Sequence, residues 1–520
     1  MQLHHISLAD THSFSPFFLD YLSQKESLQA FYHRFPQLEN FGPQLKEKET
    51  AFPAHHRAVL VDALSHQYAG YPVSESVAAN LTSLASPRTF TVTTGHQLNL
   101  FTGPLYFIYK IVTVINTCRR LKEAFPEYNF VPVYWMASED HDYDEIKSFR
   151  LYNKKYTWET KQTGAVGRFD PQSITEILST LPGDVSMFKT AYLTHKTLAG
   201  AVRSYVNALF ANEGLVVLDG DYPSLKTLFK TVMHDDLFLH SAKEKVEEAN
   251  RQLESLGYHP QVFAREINFF YLDQNLRHRL TETAGQFSVV DTAIKFSAAE
   301  IEQLIRDAPE KFSPNVILRP LYQEVILPNL AYVGGPAEIV YWLQLKGVFE
   351  HFKTPFPILM PRNFAAVMDE PTHKKFLKTG VELKDLFEEK NYLFNHWIAR
   401  NSSAHLSLGK EIAEADALFK QVKSHAAAID TTLAKHVEAK ALLAIQSLGA
   451  IERKMMRAEK RKHEDKLRQL EAIKDMLFPN GSPQERTDNF LNFYQQDRQF
   501  IQHLIHHFDP FDFRFNVLVP

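Results

Sequence analysis

One cysteine, Cys118, stands in 520 residues. An intrachain disulfide framework is therefore excluded, and this usage fits a reducing compartment, so a cytoplasmic protein is expected. Long apolar runs are missing as well. No stretch reaches the ~18–20 residues needed to cross a bilayer. The opening MQLHHISLADTHSF lacks the basic and apolar regions of a signal peptide. Charge of one sign is absent too: 57 Lys and Arg face 61 Asp and Glu, a formal net charge of −4. No whole-protein basic field points to nucleic acid, so neither nucleic acid nor membrane is an expected partner. What remains is an ordinary globular composition, 44% hydrophobic and 23% charged. The chain is long enough for a large core with at least one appended domain.

Strand-like and helix-like patterns alternate from about residue 89. The strand candidates are TFTVTT, NFVPVYWMA, GLVVLDGD, NVILRP, LAYVGG and FPILMP, with helical patterns after Pro104, Pro223 and Pro336. Such alternation predicts an α/β fold, a Rossmann-like and mostly parallel sheet with helices on both faces. Residues 1–88 read as a mostly helical cap on a core spanning 89–380. Within that core, 146–212 and 241–313 are too long for simple crossovers and read as insertions. Residues 405–478 contain no proline, and glycine only at 409 and 449. Ile412, Ala415, Phe419, Val422, Ala426, Ile429 and Leu433 step by three and four, which is a heptad seam. Residues 381–480 therefore read as a helical domain. Its two long helices should form an antiparallel coiled coil joined near Glu438 to Leu442, and the seam is a candidate homodimer interface. The aromatic tail 481–520 should return to the core.

Three polar clusters follow strand-like runs. In the first, TTGHQLNLFTGP, Gly95 lets the backbone turn closely past a ligand. His96 can donate to phosphate oxygens and stabilise developing charge. Gln97, Thr102, Gly103 and Pro104 complete the loop, and Lys110 follows on the next helix within reach of a phosphate. The plainer reading is a strand-to-helix turn with a capping histidine. The second cluster, SEDHDYDE, places Glu139, Asp140, His141 and Asp142 at the end of an apolar run. So many carboxylates call for solvation, pairing or bound cations. Magnesium–nucleotide binding, recognition of an amine and general base catalysis all suit them, as does a helix N-terminus. The spacing gives no zinc set, and no metal ligand is assigned. In the third, YVGGPAE, Gly334 and Gly335 end a strand and Glu338 lies in the first turn of a helix. Arg319 and Arg362, read at strand ends, can each hold a carboxylate or phosphate.

The blocks TTGHQLNLFTGPLYFIYK, VPVYWMASEDHDYDEI, YVGGPAEIVYW and LFPNGSPQER, in this order between about 90 and 495, resemble the BshC family, the cysteine ligases of bacillithiol biosynthesis. The resemblance falls on Gly95, His96, Gln97, Gly103, Pro104 and Lys110. It continues on Glu139, Asp140, His141 and Asp142, and then on Gly334, Gly335 and Glu338. It implies a core like that of class I synthetases with a dimerising coiled-coil domain. It also implies the joining of cysteine to glucosaminyl-malate through an amide. ATP is the expected co-substrate, with Mg2+ accompanying the nucleotide. His96, Glu139, Asp140 and His141 are the expected catalytic groups; Gly95, Gln97, Thr102, Gly103, Lys110, Asp142, Arg319, Gly334, Gly335, Glu338 and Arg362 are expected to bind substrate or nucleotide. Two alternatives stand beside this: a nucleotidyl- or phosphoryl-transfer enzyme of the same architecture, and a coiled-coil scaffold that nucleotide regulates.

Overall fold

The computed structural model describes residues 2–520. Five short runs rich in β-branched and aromatic residues form the central sheet. They are β1 (Thr89–His96), β2 (Asn129–Met136), β3 (Val216–Asp219), β4 (Asn329–Gly334) and β5 (Ile358–Pro361). Nearly every residue of these strands is buried, so β2, β4 and β5 read as nearly continuous apolar runs, while β1 buries threonines, of which Thr93 and Thr94 donate to β4. Their spatial order is β5-β4-β1-β2-β3, and every neighbouring pair is parallel. The order reverses between β1 and β4. In such a Rossmann-like sheet a crevice opens at that reversal, beyond the carboxyl ends of the strands.

Helix α1 (Tyr106–Ala124) follows β1 and is buried all round over the twelve residues from Phe107 to Cys118. That burial fixes it between the sheet and the C-terminal helix Phe500–His507. Helix α2 (Pro336–Trp342) follows β4, with Pro336 in its first turn, where a missing N–H costs nothing. The run NVILRP is not a strand. A helix begins at Arg319 instead, because Asn315 turns the chain by accepting from the N–H groups of Ile317 and Leu318 and Pro320 favours a helical first turn.

The segment 146–212 supplies a hairpin, Ser148–Leu151 with Lys154–Thr157, and the helices Ser186–Thr194 and Leu198–Phe210. The segment 241–313 supplies the helix Ser241–Ser255 and most of a five-stranded antiparallel sheet beside the crevice. Residues 1–88 are largely helical but begin with a strand, Gln2–Ile6, paired antiparallel with Phe515–Val519. That C-terminal strand also runs parallel to Phe364–Val367.

Three consecutive helices build the coiled-coil part: α3 (Gly409–Ile429), α4 (Leu433–Lys462) and α5 (Glu464–Leu477). α3 and α4 pack as a hairpin. Its turn lies at Asp430–Thr432, not near Glu438 to Leu442, because Asp430 accepts from the Thr432 backbone N–H and hydroxyl, both at 2.8 Å, a local bond that ends the helix. No residue of α3 is buried, and Leu418, Ile429, Leu442, Leu443 and Ile451 are exposed. α5 differs: Leu467, Leu470, Ile473 and Leu477 anchor it in the core. No helix among the described residues is long and apolar enough to cross a membrane.

Candidate active site

A cavity of about 490 Å3 opens where the sheet reverses its strand order. The end of β1 brings Gly95, His96 and Gln97 to it, and the end of β2 brings Ser138, Glu139 and Asp140. The turn after β4 brings Gly335 and Glu338. Lys110, Arg319 and Arg362 also line it. Ten of the residues expected at a site thus converge although they are scattered along the chain. Gly95 lies where an added Cβ would stand 3.4 Å from the Tyr332 hydroxyl and 3.6 Å from the Arg319 guanidinium.

Most of the charges are already matched. Lys110 donates to the Gly95 carbonyl at 3.0 Å and pairs with Glu338 at 2.5 Å. Glu338 also accepts from the Tyr332 hydroxyl at 2.6 Å and the Gly335 N–H at 2.8 Å. Burial pushes the Glu338 carboxyl up, but Lys110 and these donors outweigh it and hold it below its ordinary range. Glu139 pairs with the buried Lys226. Arg362 makes a bidentate pair with Glu485 at 2.6 and 2.9 Å, and its Nε finds no hydrogen-bond partner among the described residues. Burial would raise the Asp140 carboxyl, yet the His141 contact, Arg277 and Gln97 together hold it well below the usual carboxylate range.

His96 sits against Tyr106 and Phe107, with ring centroids 5.3 and 5.2 Å away. Burial, helped by the nearby Lys110 charge, drives its pKa down to about 3. The ring is therefore neutral at physiological pH. Its Nε2 is buried with no hydrogen-bond partner among the described residues, so it is available to a ligand as donor or acceptor but not as a cation.

Arg319 differs from the other cations. Its guanidinium lies 6.0 Å from the Trp135 ring and 5.7 Å from the Tyr332 ring, and it donates to Gln323 at 3.1 Å. Among the described residues no carboxylate lies within ion-pair distance of it or of Arg486, the other cation at the cavity without an acidic partner.

Five expected residues stand outside the cavity lining. Thr102 and Gly103 are drawn away because Asn489 donates to the Phe101 and Gly103 carbonyls at 2.7 and 2.8 Å. Phe101 is itself packed against Phe149, Phe188 and Tyr192. Gly103 serves the backbone of this closed loop, with φ +64° and Asn99 where a Cβ would stand, and lines a second, smaller cavity with Arg150, Lys155 and Arg486. His141 is half exposed and meets the Arg277 guanidinium at 2.7 Å. Asp142 caps the short helix Tyr143–Ile146. Gly334 ends β4, with its carbonyl accepting from the Arg362 N–H at 2.9 Å.

Two family models cover this chain. One, described as "Bacillithiol biosynthesis BshC, N-terminal Rossmann-like domain", matches residues 1–363, and one described as "Bacillithiol biosynthesis BshC, C-terminal coiled-coil domain" matches residues 365–519. The chain belongs to the BshC family. Its relatives include proteins named "Putative cysteine ligase BshC" from several bacteria. That of Cytophaga hutchinsonii is 42% identical over 508 residues, spanning 98% of this chain and 97% of the relative. That of Flavobacterium psychrophilum is 42% identical over 500 residues, spanning 94% of each. That of Christiangramia forsetii is 39% identical over 528 residues, spanning 99% of this chain and 98% of the relative.

In this BshC chain, both matched segments build the cavity. Arg486 reaches it from the C-terminal segment, and Glu485 beside it holds Arg362. Sequence reasoning gave no site role to Tyr106, Trp135, Arg277 or Arg486, and it placed Ser138 and Glu145 in the second cluster without a role of their own. Arg277 lies in the antiparallel sheet, where it donates to Asp140, His141, the Ser313 hydroxyl and the Pro314 carbonyl. The dipeptide Glu485-Arg486 was visible within LFPNGSPQER, but its contact with Arg362 is a long-range one.

Proposed function

We propose that this BshC chain is a ligase that forms an amide between the carboxylate of cysteine and the amine of glucosaminyl-malate, with ATP as co-substrate. Family membership supports the reaction class, and one observation supports the substrate chemistry. The cavity's charges without an ion-pair partner are of both signs, Arg319 and Arg486 against Glu145. Guanidinium groups suit the malate carboxylates, which they can grip with two parallel N–H donors. Glu145 and Asp140 lie where an ammonium group needs acceptors, joined by Gln97, which donates to both.

A carboxylate does not acylate an amine at neutral pH, because its oxygen is a poor leaving group. ATP supplies the activation, as an acyl-adenylate or acyl-phosphate. The His96 Nε2, the Arg362 Nε and the two free guanidinium groups are unused donors fit for phosphate oxygens. No group of three His, Cys, Asp or Glu side chains among the described residues is set to hold a metal. Mg2+ therefore belongs in this proposal with the nucleotide phosphates, since it is usually held by substrate phosphates, waters and only one or two carboxylates. The exposed apolar side chains of the α3–α4 hairpin support a further element of the proposal, a homodimer joined through that hairpin.

Purified protein incubated with cysteine, glucosaminyl-malate, ATP and Mg2+ should yield the amide product and AMP or ADP, detected by mass spectrometry. Product must depend on all four components. Nucleotide turnover that ignores cysteine points instead to transfer onto another acceptor.

A further inference from the structure

Amide formation requires the attacking nitrogen to shed a proton, and the carboxylates facing the cavity are poorly placed to take it. Glu139 is held by Lys226, Glu338 by Lys110, and Asp140 by Arg277 and Gln97. Glu338 and Asp140 are thereby stabilised in their charged form, which weakens each as a base, and Glu139 is occupied by its ion pair. Glu145 has no ion-pair partner among the described residues, accepts from Gln97 at 3.3 Å and is exposed at the mouth.

Ser138 offers another route. It lies at the carboxyl end of β2, lines the cavity, and donates its hydroxyl proton to Oδ1 of Asp219 at the end of β3. Its lone pairs are left to accept from a substrate. The arrangement is rigid. The Ser138 carbonyl accepts from the Gly167 N–H at 2.8 Å, and a Cβ on Gly167 would come within 2.5 Å of the Ser138 Cβ. Asp219 is pinned by Gln67, which accepts from its backbone N–H at 2.9 Å and donates to its carbonyl at 2.8 Å.

We propose that Ser138 and Asp219 form a proton relay for the attacking amine, with Ser138 touching the substrate and Asp219 acting through it as a positioning residue. The inference rests on the ligase reading above. The neutral amine attacks the activated carbonyl and the C–N bond forms. The C–O bond to the phosphate or adenylate leaving group breaks, and the leaving group takes the electron pair. The proton shed by nitrogen passes to Ser138 Oγ while Ser138's own proton crosses to Asp219, which becomes a neutral carboxylic acid.

The surroundings of Asp219 tune it for this. Burial, then repulsion from Asp221, raises its pKa to about 6, against the hydrogen bond from Ser138 and the Arg203 charge, which lower it. Asp221 is itself bound in a bidentate pair by Arg168 at 2.9 and 3.0 Å. Tyr71, Tyr134 and Tyr322 face the same carboxylate and stay neutral, their own ionisation pushed upward by burial. Activity should therefore fall as pH drops through about 6, because a protonated Asp219 cannot accept.

The test is the pH profile of kcat for wild type, Ser138→Ala, Asp219→Asn and Glu145→Gln, with thermal unfolding run on each. Wild type should show an acid limb near pH 6. Ser138→Ala and Asp219→Asn should lose roughly 10²-fold or more in kcat and flatten that limb, while Glu145→Gln keeps it. A wild type without an acid limb between pH 5 and 7 overturns the relay without any variant. So does a limb abolished by Glu145→Gln and kept by Asp219→Asn. Failure of the ligase reading is separate, since wild type then makes no amide at any pH.

Discussion

Lys110 Nζ and Glu338 Oε2 stand 2.5 Å apart across the point where the central sheet reverses its strand order. The pair ties α1, which follows β1, to α2, which follows β4. The Lys110 side chain is almost wholly buried, so its charge has no recourse to water.

Lys110→Met should therefore destabilise the fold by roughly 1–3 kcal/mol, less than for a wholly buried pair because a quarter of the Glu338 side chain is exposed and Tyr332 and Gly335 still donate to it. A chemical denaturation midpoint reads this directly, and a loss below about 1 kcal/mol would show that the pair is not what holds α1 to α2. The pH dependence has a definite sign. Glu338 is held below its ordinary 4.5 in the fold, so its contribution is present above pH 4.5 and is lost as pH falls from there through the lowered value.

Arg319→Gln should leave the fold intact and raise KM for the malate-bearing substrate by about tenfold or more, a change of ~1.4 kcal/mol in binding. Arg319→Lys should not restore it, because an ammonium cannot reproduce a planar guanidinium lying between the Trp135 and Tyr332 rings. Steady-state kinetics with each substrate varied in turn decide the matter; an unchanged KM removes Arg319 from carboxylate recognition.

His96 should stay neutral throughout the physiological range. Its pKa in the fold is about 3 against an ordinary 6.5. The unfolded chain binds a proton here before the folded one does, so this residue weakens the fold progressively as pH drops from 6.5 toward 3. Imidazole NMR resonances should show no titration of His96 between pH 5 and 8, and a midpoint inside that window would contradict its burial. His96→Ala should abolish ligation with the fold intact.

The α3–α4 hairpin should lose self-association when its exposed apolar side chains are charged. Leu442→Glu with Ile451→Glu should shift sedimentation from dimer to monomer while leaving the unfolding of the core nearly unchanged. A wild type that sediments as a monomer at micromolar concentration rejects the proposed interface.

The sequence makes the ends of β1, β2 and β4 legible because apolar runs there give way abruptly to polar clusters, and a parallel sheet gathers its strand ends on one side. The seam from Ile412 to Leu433 is legible because its apolar residues recur every three and four positions. Arg319 was read at a strand end and instead begins a helix, because an Asn315 turn and Pro320 override a β-rich run. Arg277 and Arg486 could not be anticipated, since their places at the cavity depend on how an antiparallel sheet and a distant tail dock. Asp219 lay in plain view in GLVVLDGD, yet its tie to Ser138 exists only through the pairing of β2 with β3.

The seam between the two matched segments, at residues 363 to 365, passes between a buried ion pair and a mixed sheet. Arg362 on one side is neutralised by Glu485 on the other, and Phe364–Val367 lies against the strand that also holds the N-terminal Gln2–Ile6. The two halves are consequently not interchangeable parts. A chimera exchanging the C-terminal half between relatives must carry matching residues at positions 362 and 485, and a chain cut at the seam strands a guanidinium in the interior and unclasps both ends of the polypeptide at once.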